Sequence, residues 1–580
     1  MYDLVIRGGL LIDGTGKPGR LADVGITGDL IVAVGPPNSL GDAHRVLEAE
    51  GLLVTPGFVD VHTHYDGQAS WDPWLTPSSW HGVTTAIAGN CGVGFAPVHP
   101  DRHDWLVQLM EGVEDIPGSA LAEGISWDWE SFPEFLDAIS ARPHAIDCGF
   151  QLAHGPLRGY VMGERGAANE PARPEDLGEL RRLASEALAA GAMGISTSRT
   201  SLHKSRDGEF VPGTFAELDE LLCLADALAD EKARSGRSGV FQLAMEHTDV
   251  PTQFDWMREF VSRSGGTVSF NFSQTRQAPE IWRDVVEQLD RANEQGFSIV
   301  GQVAGRSIGV LECLDGTVHP FALHTAWQPL ALLPTKEKLL ALKDPEVRAA
   351  LLAETLPPIT PVVDLLTSGW ERMYPVGAGA IDYEPDPETD SLAALARASG
   401  LTPAELALDA LCADEGTGML YVPLFNYSGG DLELLRELHQ NPNTRMGLSD
   451  AGAHCGSICD GGMPTFMLTH WGRDRRRGER LPLEFLIRRQ TSETAALFSL
   501  FDRGIVAPGM RADLNVIDFD QLGFTNATMA YDLPTGARRL VQRGTGYVAT
   551  IVAGVPIVEH DTFTGALPGK VLRGGTTAPV

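Results

Sequence analysis

The stretch Pro56-Gly57-Phe58-Val59-Asp60-Val61-His62-Thr63-His64 decides how the rest of this 580-residue chain reads. Residues 54–61 are largely apolar, as expected of a strand buried on both faces of a parallel sheet. Two histidines with one residue between them close the run. Side chains two apart on a strand point to the same face, so His62 and His64 can converge on one ion. Neutral imidazole is the commonest metal ligand. On its own, the pair suits two packed histidines at a strand end equally well.

Downstream the rhythm is helix, then strand, four times over. Pro174 fits the first turn of a helix over 174–190 that stops at Gly191, and a strand is expected over 193–198. Thr214 and Glu217 have capping-box spacing and predict a helix to about Ala229, followed by a strand over 240–243. Helices near 254–263 and 279–294 precede strands over 267–272 and 297–303. This order predicts a parallel sheet with crossover helices, and its repetition favours a (β/α)8 TIM-like barrel over about 55–505. From about 305 to 440 the pattern is lost among Pro357-Pro358, Pro361 and the acidic segment 382–387, which reads as an elaborated insertion. Both ends are rich in short β-branched runs and turn signals. They predict a small β-sandwich built from 1–54 and 506–580.

Composition narrows the partners. Lys and Arg number 45 against 77 Asp and Glu, a net charge of −32, which repels nucleic acid and anionic membrane surfaces. No apolar run reaches the length of a membrane span, and no signal peptide is visible. Seven scattered cysteines do not make a disulfide framework, so a soluble cytoplasmic protein is expected.

Further segments carry a resemblance: Gly89-Asn90-Cys91-Gly92, Ala153-His154-Gly155-Pro156-Leu157-Arg158, Gly194-Ile195-Ser196-Thr197, and 447–454, which reads Gly-Leu-Ser-Asp-Ala-Gly-Ala-His. With the 56–64 stretch and Pro508-Gly509-Met510-Arg511-Ala512-Asp513-Leu514, they resemble the amidohydrolase superfamily, and within it the N-acyl-D-amino-acid deacylases of the D-aminoacylase branch. The resemblance runs almost end to end and is weakest over 305–440. It implies that His62 and His64 bind metal, that Asp450 both binds metal and acts as acid/base, and that Cys91 is a further ligand. Without it, Asp450 reads as an Asx turn or helix cap and Cys91 as an ordinary buried thiol.

The sequence departs from that family where barrel strands five and six usually each supply a histidine. Neither 240–245 nor 268–273 contains one, and His247 lies just past the first. One divalent ion, zinc by the chemistry of imidazole, thiolate and carboxylate, is therefore expected rather than two. The expected reaction is hydrolysis of a small-molecule linear amide, foremost an N-acyl-D-amino acid. Another amide, a cyclic amide or an ester remains an alternative, as does a catalytically silent scaffold acting through homo-oligomer formation. The basic run 473–480 reads as a solvated face or subunit contact, with binding of an acidic substrate or partner as the alternative, and the carboxylates of 110–115 read as solvated loop residues or, alternatively, as metal-proximal. His154 reads as facing substrate or as a hydrogen-bonded structural residue.

Overall fold

The computed structural model describes residues 1–377 and 381–577 and shows a mixed α/β fold. Residues 378–380 of the expected insertion and 578–580 of the expected C-terminal part lie outside the described residues. The apolar run before His62 does not form one strand. Leu53–Pro56 pairs with Leu514–Ile517 from the other end of the chain, whereas Phe58–Asp60 pairs in parallel with Val83–Ala88. The chain changes sheets at Gly57, whose N–H donates to the Asp513 carbonyl. A Cβ there would stand 2.2 Å from the Thr84 side chain, so glycine is required by close approach.

The strands of the two chain ends hydrogen-bond into one nine-stranded sheet. Leu4, Ile6, Val24, Val54, Val516 and Ile551 form its separate core. The extreme C-terminal segment departs from the expected arrangement. Its Gly569, Val571 and Thr576 bridge to His144, Cys148 and Leu500 instead.

Between the ends run parallel strands. Phe58–Asp60, Val83–Ala88 and Asp147–Phe150 form one sheet. A second follows the order Leu152–Ala153, Gly194–Ser198, Val240–Ala244, Thr267–Asn271, Ile299–Val303 and Thr444–Met446. Each of the four predicted helices is present, with Pro174 at the first turn of Pro174–Ala190 and Gly191 in the left-handed region behind it. The Thr214–Glu217 capping box does not form. The Thr214 hydroxyl donates to the Val211 carbonyl, and the helix begins at Leu218.

The 305–440 segment is more ordered than its sequence pattern predicts. Gly309–Glu312, Met419–Pro423 and Tyr374–Val376 form an antiparallel sheet, and five helices pack around a core that includes Trp327, Leu351, Leu392, Leu411 and Leu420. Pro345, Pro361 and Pro403 stand at helix starts, where a missing N–H costs nothing. Two arginines of the basic run 473–480 hold this segment in place, while Asp474, Arg476, Gly478, Glu479 and Arg480 are exposed as a solvated face would be. Buried Arg475 pairs with Glu384 at 3.1 Å, while Arg477 donates to the Pro385 and Gly430 carbonyls. No helix among the described residues is long and apolar enough to cross a membrane.

A buried ion-pair cluster joins the parallel strands to the terminal sheet. Asp147 accepts from Arg503 at 2.8 Å and from Arg511 at 2.9 Å, and Arg511 also reaches Asp513 at 3.1 Å. Removing the shared carboxylate takes one partner from each of two buried guanidinium groups, which keep Asp502 and Asp513 respectively. Asp147→Ala should therefore cost about 1.5–3 kcal/mol. A denaturant midpoint within error of the parent would show that the cluster contributes nothing to joining the two parts.

Candidate metal centre and cavity

The polar constellation sits where the chain passes the ends of the parallel strands. Thr63 bridges to Ala451 in parallel, and the His64 N–H donates to the Ala451 carbonyl at 2.8 Å. That register places Asp450 beside the histidines. Its Oδ1 lies 3.2 Å from His62 Nε2 and 3.7 Å from His64 Nε2. Cys91 Sγ lies 3.3 Å from His62 Nε2. The potential ligand atoms of His62, His64 and Cys91 all fall within 4.8 Å of one another, and all three residues are buried. All four residues singled out in the sequence thus come together, although they arise from three separate segments.

Backbone strain concentrates at the same place. Cys91, Leu448, Asp450 and His454 all have left-handed backbones, with φ of 57°, 57°, 47° and 52°. Each such non-glycine residue costs on the order of 1–3 kcal/mol and persists only where its surroundings hold it. Asn90 does part of the holding, donating to the Thr63 and Ile87 carbonyls at 3.1 and 3.0 Å.

The electrostatics are those of tightly packed opposite charges. Burial opposes charge on His62, but Cys91 and Asp450 outweigh it and push the imidazole up to about 9. Burial likewise opposes ionisation of Asp450. His62, His64 and His454 nevertheless hold its carboxyl well below the usual carboxylate range. The Cys91 thiol is lowered against its burial by the same two imidazoles, His62 and His64.

Around this centre lies a ring of groups that the sequence did not single out. Gln302 Oε1 is 2.6 Å from His62 Nδ1, an arrangement that turns Nε2 toward Cys91 and Asp450. Gln242 Oε1 accepts from the Cys91 N–H at 2.7 Å, and its amide nitrogen donates to Asn271 Oδ1 at 2.8 Å. Asn271 Nδ2 in turn lies 3.5 Å from Cys91 Sγ. These three carboxamides occupy consecutive strands, and their signal was an inward-facing polar residue in each of three otherwise apolar runs. Glu114 is buried, not solvated, with Oε1 3.4 Å from His64 Nδ1.

Two other histidines resolve differently. His247 lines the wall of the neighbouring cavity and does not join the centre, so it does not replace a strand-five ligand. His154 faces away, its Nδ1 3.0 Å from the Thr197 hydroxyl and its Nε2 2.9 Å from Glu220, which also pairs with buried Arg158. This is the structural role.

The cavity measures about 570 Å³. The 305–440 segment supplies part of its wall through Val310, Leu366, Leu424 and Phe425. Asp450 lines the cavity while contacting both histidines, so it alone of the four belongs to both.

Comparison with known proteins agrees with the geometry. Residues 45–558 match the amidohydrolase family, and the chain belongs to it. D-aminoacylase of Alcaligenes xylosoxydans xylosoxydans is 40% identical over 196 residues, a match spanning 34% of this chain and 37% of that relative. N-acyl-D-aspartate deacylase of the same organism is 28% identical over all of this chain and 96% of its own. The solved N-acyl-D-glutamate deacylase of Bordetella bronchiseptica, complexed with zinc and a phosphonate inhibitor, superposes with a TM-score of 0.63 at 22% identity, covering 99% of this chain and 100% of that one. These relatives place the chain in the D-aminoacylase branch.

The buried pair at Glu220 carries a pH signature. Burial raises its carboxyl, but His154 and Arg158 more than offset this and bring it down to about 2 from an ordinary 4.5. A folded-state value below the unfolded one gives stability that is full above about pH 4.5 and lost as the pH falls toward 2. Glu220→Gln should therefore unfold at lower urea than the parent at pH 6, with the gap closing below pH 4.5. A gap that stays constant from pH 6 to pH 3 would assign the loss to packing alone.

Proposed function

We propose that this hydrolase of carbon–nitrogen bonds other than peptide bonds is metal-dependent and cleaves a linear amide, foremost an N-acyl-D-amino acid, to a carboxylate and an amine. The observation that carries the reading is the position of Asp450, shared between the histidine–cysteine cluster and the cavity wall. The parallel strands support a single eight-stranded barrel, since the Thr63–Ala451 bridge links the first strand's end to the last. In this reading the nine-stranded sheet of the chain ends is the sandwich packed beside it.

His62, His64, Cys91 and Asp450 would hold the ion. Tetrahedral zinc with bonds of about 2.0–2.3 Å needs ligand atoms roughly 3.3–3.8 Å apart. The separations of 3.3, 3.2 and 3.7 Å bring three of the six ligand pairs near that requirement, and His62, His64 and Cys91 form the set whose ligand atoms all lie within 4.8 Å of one another. Two neutral imidazoles, a thiolate and a carboxylate also balance a dication in charge. One ion is favoured over two, because Gln242 and Asn271 are bonded to Cys91 and to each other on the side where further histidine ligands would stand.

A divalent ion here supplies Lewis acidity toward the amide carbonyl and lowers the pKa of water toward 7. Asp450 takes the proton from the attacking water at its carboxylate and passes it to the departing amine nitrogen. Gln302 keeps the His62 ring oriented throughout, and the apolar cavity wall limits competing water.

Asp450→Asn should lower amide hydrolysis at least a thousand-fold with an unchanged circular dichroism spectrum. Activity within ten-fold of the parent would remove the proposed mechanism. Gln302→Leu should weaken zinc binding about 10–100-fold in a chelator competition, the usual cost of losing a hydrogen bond behind a ligand. Elemental analysis should find one ion per chain, whereas two would contradict the role given to Gln242 and Asn271.

A further inference from the structure

The cavity's charge does not match a substrate with a free carboxylate. Four carboxylates line it, those of Glu111, Asp115, Glu246 and Asp450, and none of its lining residues is lysine or arginine. Their partners leave no spare positive charge. Glu111 takes up Arg206 at 3.0 Å, while Asp115 and Glu246 are bonded to the neutral hydroxyls of Ser457 and Ser201. Burial pushes the lining histidines His203 and His247 down to about 4, so neither is a cation at neutral pH. His454 stands 3.7 Å from Glu114, a carboxylate it shares with His64. A dication on the cluster would be neutralised by Cys91 and Asp450 before a substrate arrived.

We infer that the amide accepted here is apolar and either uncharged or cationic beside the scissile bond, with any amino-acid carboxylate masked as a carboxamide or ester. The inference rests on the hydrolase reading for its amide and departs from it on one point: of N-acyl-D-amino-acid compounds it keeps those whose carboxylate is masked. A carboxylate moved from water into this cavity would lose its hydration without gaining a cation, a cost that a carboxamide avoids. The net charge of −32 adds long-range repulsion of anions. Apolar wall residues such as Leu202, Met245 and Phe425 would instead bury an apolar side chain or acyl group.

Among the described residues, three cations next in the chain to lining residues stand outside any ion pair: Arg199 beside Thr200, Lys204 beside His203 and Arg276 beside Thr275. Arg199 donates to the Ala216 carbonyl at 2.7 Å and Lys204 lies over the Phe210 ring at 4.5 Å, whereas Arg276 is exposed to solvent. Arg276 supplies the competing explanation and therefore a control.

The test uses the zinc-loaded full chain and a matched pair of non-hydrolysable analogues of N-acetyl-leucine in the D configuration. In both, CH2 replaces the amide N–H; one ends in a carboxylate and the other in a carboxamide. By calorimetry the carboxamide should bind at least ten-fold more tightly. Glu246→Gln should narrow that ratio at least three-fold, and Arg276→Gln should leave it unchanged. Equal or tighter binding of the carboxylate, or of neither analogue, overturns the inference. So does a carboxylate affinity that collapses in Arg276→Gln. Acetate release from N-acetyl-D-leucine and N-acetyl-D-leucinamide is measured separately. If neither is hydrolysed but the carboxamide still binds more tightly, the hydrolase reading fails and the charge selection stands.

Discussion

One backbone register sets the chemistry of the molecule. Thr63 pairs with Ala451, and the Asp450 N–H and the Ser449 hydroxyl both donate to the His62 carbonyl, at 3.2 and 3.1 Å. Because side chains alternate along extended chain, slipping this pairing by one residue would turn Asp450 away from both imidazoles. The register is guarded from below as well. Ser449 also donates to Asp60 at 2.5 Å, and burial holds that carboxyl up at about 6. The strained backbones at Leu448 and Asp450 follow from this: the last strand must bend sharply to deliver a carboxylate where the first strand delivers its histidines.

Around that register the chain is built inward from its ends. The terminal sheet collects both ends of the chain, and its Arg511 and Asp513 extend into the Asp147 cluster beneath the parallel strands. The 305–440 segment approaches from another side and is fixed by Arg475 and Arg477. The site therefore draws on parts of the chain that are distant in sequence. This is the usual arrangement when loops at the strand ends carry function and the sheet serves as a rigid platform.

The sequence showed most of this where local chemistry and spacing coincide. His62, His64, Cys91 and Asp450 each lie in a compact motif, and the helix–strand alternation from 174 to 303 follows from apolar periodicity with glycine and proline punctuation. What it hid has physical causes. Proline reads as a breaker, so the helices beginning at Pro345, Pro361 and Pro403 were lost. Arg475 and Arg477 read as solvated because their partners, Glu384 and the carbonyls of Pro385 and Gly430, are remote in sequence. The apolar stretch through Gly57 gave no sign that its two halves belong to different sheets. Glu114 looked like any loop carboxylate, since only the tertiary fold presses it against His64.

The carboxamides of Gln242, Asn271 and Gln302 have a consequence beyond orientation. Side-chain amides neither gain nor lose protons at any pH a protein survives, unlike histidine. These three positions of the outer ring are thus electrically silent and keep the same hydrogen-bond polarity from acid to alkaline solution. Titration at the centre is then left to the mutually shifted His62, His64, Cys91 and Asp450, which the three amides hold in place without adding a proton of their own.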